Sequence, residues 1–341
     1  MTSTSRTGNA FSGSPTQDSA LVVSTIARLR AEQAASKVTT REAVLLHEIG
    51  VLEEAIGDEG TAARDQLGAV NAEPEFTEPL ERLIAIIERR QSYKNLGKLL
   101  DRLVKVAVGS SERARALIEQ AFFLEDHEHD ASAARTLVEQ AAEEAPDDPT
   151  VWLTLELMAL KSGDADLRET ALTRRAALAQ RPEWQTLLML DLAEVRAAKG
   201  DREGATTALD LAVSVEGRTK YLALCRAARL ARTLGDAGFE ARCLEAQAAL
   251  VLEALGDSAQ GDASGVPAGR RTKAHAADAW LRAAEVHRRA GAVPAATELL
   301  DRALAELPGD PALTHARLTA AEAAGDAGMM ARLARSVLDA G

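Results

Sequence analysis

Aromatic residues are scarce in this chain: five Phe, three Trp and two Tyr make up 3% of its 341 residues. β-branched residues are also sparse beside the alanine and leucine that dominate an apolar fraction of 46%. An all-β fold or a parallel α/β sheet draws on the side chains that are missing, so both are excluded. Alanine and leucine lose little or no rotamer freedom in a helix, and the expected class is all-α. Cysteine is limited to Cys225 and Cys243, too few for a disulfide framework; they read as small apolar groups on neighbouring helices. No stretch approaches the ~20 apolar residues of a membrane span. The first twenty residues hold Ser, Thr and Gly, one Arg and no apolar run, so no secretory signal is read there. The expectation is a cytoplasmic protein with no membrane insertion and a disordered tail over residues 1–18. Basic residues number 40 against 52 acidic, a net charge of −12, which argues against nucleic-acid binding.

Motifs of catalysis are missing as well. There is no GxxxxGK[ST] loop, no GxSxG elbow and no HExxH pair. His127-Glu128-His129-Asp130 is the only local cluster with metal-ligand residue types, and it reads as a solvated turn between helices. Carboxylates such as Glu139, Glu143 and Glu144 sit at helix-surface spacing, where nothing polar converges on them. No enzyme, cofactor or metal is expected.

What the chain does contain is punctuation. Gly57-Asp58, Gly163-Asp164, Gly200-Asp201, Gly235-Asp236 and Gly325-Asp326 each end one amphipathic segment and begin another. Gly291-Ala292 has the same place, and the flanks of Gln91-Ser92 and His129-Asp130 align with it. From 57 to 325 the successive intervals are 34, 38, 34, 37, 35, 56 and 34 residues. Glycine suits the left-handed turn that ends a helix, and aspartate caps the next. Prolines mark the alternate breaks, as at Pro74–Pro79, Pro146–Pro149, Pro182 and Pro308–Pro311. Between marks the apolar residues keep helical spacing, for example Ala296, Leu299, Leu300 and Ala303. The reading is one N-terminal helix near 19–36 followed by eight antiparallel helix pairs.

A helix–turn–helix unit of about 34 residues resembles the tetratricopeptide repeat. Trp280 falls on that family's Trp position, Ala283-Ala284 on its Leu-Gly, His287 on its Tyr, and Ala296, Leu300, Ala303 and Pro308 on its later positions. Ala134, Val138, Ala141 and Pro146 repeat the second-helix pattern, as do Ala62, Ala69 and Pro74; the resemblance covers about residues 40–340. It implies an α-solenoid of about eight repeats wound into a right-handed superhelix, with the first helix of each pair lining a concave groove. The domain reading is a tail over 1–18, the N-terminal helix and repeats one to six over 19–255, and repeats seven and eight over 273–341. Between them 256–272, with four Gly and one Pro, reads as a flexible insertion.

The family's groove holds peptides or partner helices, so the resemblance implies a protein-interaction scaffold or adaptor. The alternatives are a peptide- or small-ligand-responsive sensor and a non-catalytic subunit of a larger machine. Carried onto this sequence, the groove positions include Glu48, Glu54, Glu78, Glu81, Glu88, Glu119 and Asp126 early in the chain. Late in the chain they include Arg226, Arg229, Arg232, Arg282, Arg288 and Arg289. Residues 41–145 carry 12 basic and 22 acidic side chains, whereas 218–341 carry 16 and 15. The expected groove is bipolar, its basic half taking an acidic protein segment. The fixed carboxylate-gripping set of some family members is not reproduced. At the C-terminus Met329, Met330, Leu333, Val337 and Leu338 form an apolar band, and Ala316, Ala320 and Ala324 a small-residue ridge, from which either a homodimer through the last repeat or stacking on a partner is expected.

Overall fold

The computed structural model describes residues 15–256 and 264–340. Among them are seventeen α-helices and no strand. Helix α1 (Pro15–Ala35) precedes α2 (Thr39–Ala55), α3 (Glu59–Ala72), α4 (Thr77–Arg89), α5 (Leu96–Val106), α6 (Ser110–Asp126) and α7 (Ala131–Glu144). Then come α8 (Pro149–Ser162), α9 (Ala165–Leu178), α10 (Pro182–Ala198), α11 (Arg202–Ser214), α12 (Lys220–Leu234) and α13 (Ala237–Gly256). The last four are α14 (Lys273–Arg289), α15 (Val293–Glu306), α16 (Pro311–Ala324) and α17 (Ala327–Ala340). The chain divides into two compact units within α8, between Thr154 and Leu155.

Each helix pair is closed by the same local chemistry. Gly57, Gly163, Gly200, Gly235, Gly291 and Gly325 all have φ between 68° and 86°. Gln91 and His129 adopt 52° and 57°, and among the described residues they are the two non-glycines with positive φ. The flank alignment that grouped them with the glycines therefore holds in the backbone. The amide one residue on turns back to an earlier carbonyl: Asp236 donates to Ala231 at 2.9 Å, and Ser92 to Ile87 at 3.0 Å. In six of the eight pairs an aspartate then caps the second helix, as when Asp58 accepts from the Thr61 amide at 3.1 Å and Asp164 from that of Leu167 at 2.9 Å, whereas Ser92 and Ala292 give no side-chain cap.

The repeat positions pack as the resemblance implies. Ala134, Val138 and Ala141 are fully buried. Trp280, Ala283, Ala284, Ala296, Leu300 and Ala303 are buried too, and alanine there lets helix backbones approach closely. In the first unit Leu80, Ile84, Leu96, Leu100, Leu103 and Phe123 form one core cluster. In the second, one continuous core runs from Leu172 through Phe239 and Leu244 to Leu299 and Leu313.

Two sequence expectations need correction. The tail over 1–18 is helical from Pro15; the rest of it, 1–14, lies outside the described residues. The second is the insertion at 256–272. Helix α13 continues to Gly256, residues 257–263 lie outside the described residues, and beyond them Ser264 and Val266 are buried while residues 267–270 are exposed. Val266 is 1% exposed and belongs to the second unit's core. Gly265 turns at φ 73° against the backbone of Arg218, Arg271 Nε donates to the Val266 carbonyl at 3.1 Å, and Thr272 caps α14 through the His275 amide. Composition missed this because one buried valine and one close-approach glycine are enough to fix a short segment.

Candidate functional site

The acidic residues proposed for the groove fall on α2, α4 and α6 of the first unit. Glu48 is exposed on α2. Glu54, also on α2, is taken up by Arg82 and Arg89 of α4 at 3.1 and 2.5 Å. Glu81 and Glu119 come together. With Glu78 and Glu112 they ring a pocket of about 240 Å³ between α4 and α6, floored by Leu103, Ala107 and Ala116. One cation, Arg115, lines it, and its Nε donates to Glu119 at 3.1 Å. Glu88, about two helical turns beyond Glu81 on α4, is held above the usual carboxylate range by burial and by the Glu119 charge, with His127 acting in the opposite direction. His127 stacks on Tyr93 at 3.8 Å between ring centroids. Among the described residues no three His, Cys, Asp or Glu side chains are grouped as metal ligands.

The arginines are divided rather than pooled. Arg226 of α12 donates to Asp191 and Glu194 of α10 at 2.8 and 2.7 Å, so it joins two successive first helices. Arg232 turns the other way and binds Glu240 of α13, a carboxylate only 5% exposed. A spacing of three does not hold side chains on one face; over six residues the direction rotates by about 120°. Arg229, between them, is exposed and makes no ion pair among the described residues. On α14, Arg288 and Arg289 share the single carboxylate of Glu285, which they hold down at about 2. Arg282 stands 4.0 Å from Asp278. The face read from sequence as basic is thus a set of ion pairs with Arg229 left over.

Charge counting also passed over an apolar feature. On α8, Leu153, Leu157 and Leu160 are 39%, 48% and 47% exposed, at i, i+4 and i+7. The opposite side of the same helix buries Val151, Leu155, Met158 and Ala159. A helix apolar on both sides was visible in the string VWLTLELMALK, and it was the signal to follow. Neither cysteine is activated: burial pushes the Cys225 thiol up and that of Cys243 to about 12. Among the described residues no helix is long and apolar enough to cross a membrane.

No family model and no curated protein matches the chain in sequence. Solved structures do resemble it. MamA from Desulfovibrio magneticus is 17% identical over 50% of this chain and 93% of its own, with a TM-score of 0.36. YrrB, described as a TPR protein with an unusual peptide-binding site, is 13% identical over 50% and 85%, with a TM-score of 0.36. PilF from Pseudomonas aeruginosa is 16% identical over 61% and 91%, also at 0.36. On the evidence of its own turns, caps and buried alanines, the chain is an all-α array of tetratricopeptide-like helix pairs.

Proposed function

We propose that this chain is a non-enzymatic scaffold of the cytoplasm that holds segments of partner proteins against the first helices of its pairs. The observation that carries the reading is the acidic pocket between α4 and α6. Four carboxylates and one guanidinium line it, over an apolar floor. Such a pocket suits the aliphatic stem and charged head of a lysine or arginine on a partner. Exposed Leu157 and Leu160 on α8 support the same role in the second unit, since water-exposed leucines at helical spacing favour a covering partner. Acidic segments have one open guanidinium to bind on α12, that of Arg229.

The test uses a labelled lysine-rich peptide and a glutamate-rich counterpart, titrated into the full chain by fluorescence anisotropy. The lysine peptide should bind more tightly, lose affinity as salt rises, and weaken about tenfold with Glu81→Gln and Glu112→Gln together. Arg229→Glu should affect the glutamate peptide alone. If neither peptide responds to salt or to these substitutions, the charged faces are ordinary solvated surface.

A further inference from the structure

A trough of about 630 Å³ opens in the second unit between α14, α15 and α16. Its cause is local. Helix α16 presents Ala316, Ala320, Ala323 and Ala324 to this space, and these side chains are too short to fill it. The floor is buried Ala284, Ala296 and Leu300, whereas Val293, Ala323 and Ala324 are exposed along the opening.

The polar groups of the lining are already engaged. Thr297 and Thr319 donate their hydroxyl protons to Val293 and His315 on their own helices, each at 3.0 Å. Arg288 grips Glu285 through Nε and Nη2 at 2.6 and 2.8 Å. An extended peptide laid here would find little to satisfy its N–H and C=O groups, whereas a helix brings its backbone already paired. A bare acyl chain fits less well, because the open side would leave half its hydrocarbon in water. An amphipathic helix covers that side with its own polar face. The alanine ridge allows close approach of two helix axes, and from Ala316 to Ala324 it runs about 12 Å, roughly two turns. Charge sets the remaining feature. Of the charged groups on α14, Arg288 and Glu285 line the trough, Asp278, Arg282, Glu285 and Arg289 form the strip at i, i+4, i+7 and i+11 that borders it, and Nη1 of Arg288 is not used by Glu285.

We propose that the trough docks a short amphipathic helix of a partner protein, its apolar face on the alanine ridge and an acidic edge along α14. The proposal rests on the scaffold reading but uses a surface lying wholly in the second unit. The probe is a labelled synthetic helix with leucines at i, i+4 and i+7 and glutamates on the flanks. It is compared with a lysine-flanked version and with a version broken by a central proline. Against the full chain, the glutamate helix should bind about tenfold more tightly than either comparison peptide. Ala320→Trp fills the trough and Ala323→Gln narrows its open side; both should reduce binding with helix content by circular dichroism unchanged. Arg288→Gln with Arg289→Gln should remove the preference for glutamate over lysine.

The idea is overturned if the lysine-flanked or broken peptide binds equally well, or if both trough variants leave affinity intact. It is also overturned if sedimentation shows a dimer of this chain that Ala323→Gln dissociates, since the occupant is then a second copy. Should the glutamate helix fail while the α4–α6 pocket still takes the lysine peptide, the scaffold reading stands and this one falls.

Discussion

Gly265 passes so close to Arg218 that a Cβ on the glycine would overlap the arginine's carbonyl oxygen, and its φ of 73° already disfavours any other residue. The neighbouring Val266 is thereby pressed into the core of the second unit. Gly265→Ala should therefore destabilise this region by about 2 kcal/mol or more, through backbone strain together with the displaced segment. Gly269→Ala, where added volume meets nothing, should be close to neutral. Thermal unfolding with hydrogen exchange over 264–272 checks both. Equal effects at the two positions would mean that the segment does not depend on the close approach.

The turn residues offer a test of the opposite sign. Gln91 and His129 hold a left-handed backbone that costs a side-chain-bearing residue roughly 1 kcal/mol. Replacing either with glycine should stabilise the first unit by about 0.5–1 kcal/mol, net of the greater entropy of glycine when unfolded. Removing a cap, as in Asp164→Ala, should cost about 1 kcal/mol. Denaturant midpoints of the three variants give the comparison.

Much of this architecture was legible in the sequence because it depends on local rules. A residue that tolerates positive φ followed by aspartate defines a turn wherever it occurs, and even the two positions lacking glycine declared themselves by their flanks. The candidate site was less legible. Glu81 and Glu119 meet because α4 and α6 are neighbours in the stack, which spacing predicts. The pairing of Arg226 with Asp191 and Glu194 depends instead on which way one side chain leans between two helices. No count of charges along the chain reports that direction. Val266 was hidden for another reason, since a single buried side chain leaves no periodic signal.

Glu53 supplies a pH prediction. Arg30 of α1 donates to Glu53 at 2.9 Å and also to Asp65 of α3, while Glu53 Oε2 is buried without a hydrogen-bond partner. Burial, and then the neighbouring Asp65 carboxylate, push the Glu53 carboxyl up to about 7. The folded state thus holds this proton more tightly than the unfolded state does. The contribution favours folding below the ordinary carboxylate pKa near 4.5 and is lost as pH rises through about 7. Glu53→Gln, whose side chain is uncharged at every pH, should stabilise the first unit by about 1–2 kcal/mol at pH 7.5. It should make little difference at pH 4. Exchange of the α2 and α3 amides at the two pH values decides the matter, and a pH-independent difference would count against it.

Arg317 has a side chain only 5% exposed and rests on Asp301, with Nε to Oδ1 at 2.7 Å. Asp301→Ala leaves that cation buried without its partner and should destabilise α16 by about 2–4 kcal/mol. Arg317→Met in the same background should recover part of the loss by removing the charge. Urea unfolding of both variants reads the difference; if the second substitution adds a further penalty, the guanidinium serves through packing alone.

The eight turns inside the helix pairs share one backbone conformation, and the connections from one pair to the next are three to five residues long except after α13, where sixteen residues precede α14. A residue added inside a pair would disturb both the left-handed position and the aspartate that follows it. The same residue added between pairs disturbs neither. Each pair is in this sense a cassette, and the chain can lengthen or shorten at the joins without resetting the geometry of what it joins. The segment after α13 is the longest of these joins, and through Val266 it takes part in the core of the second unit.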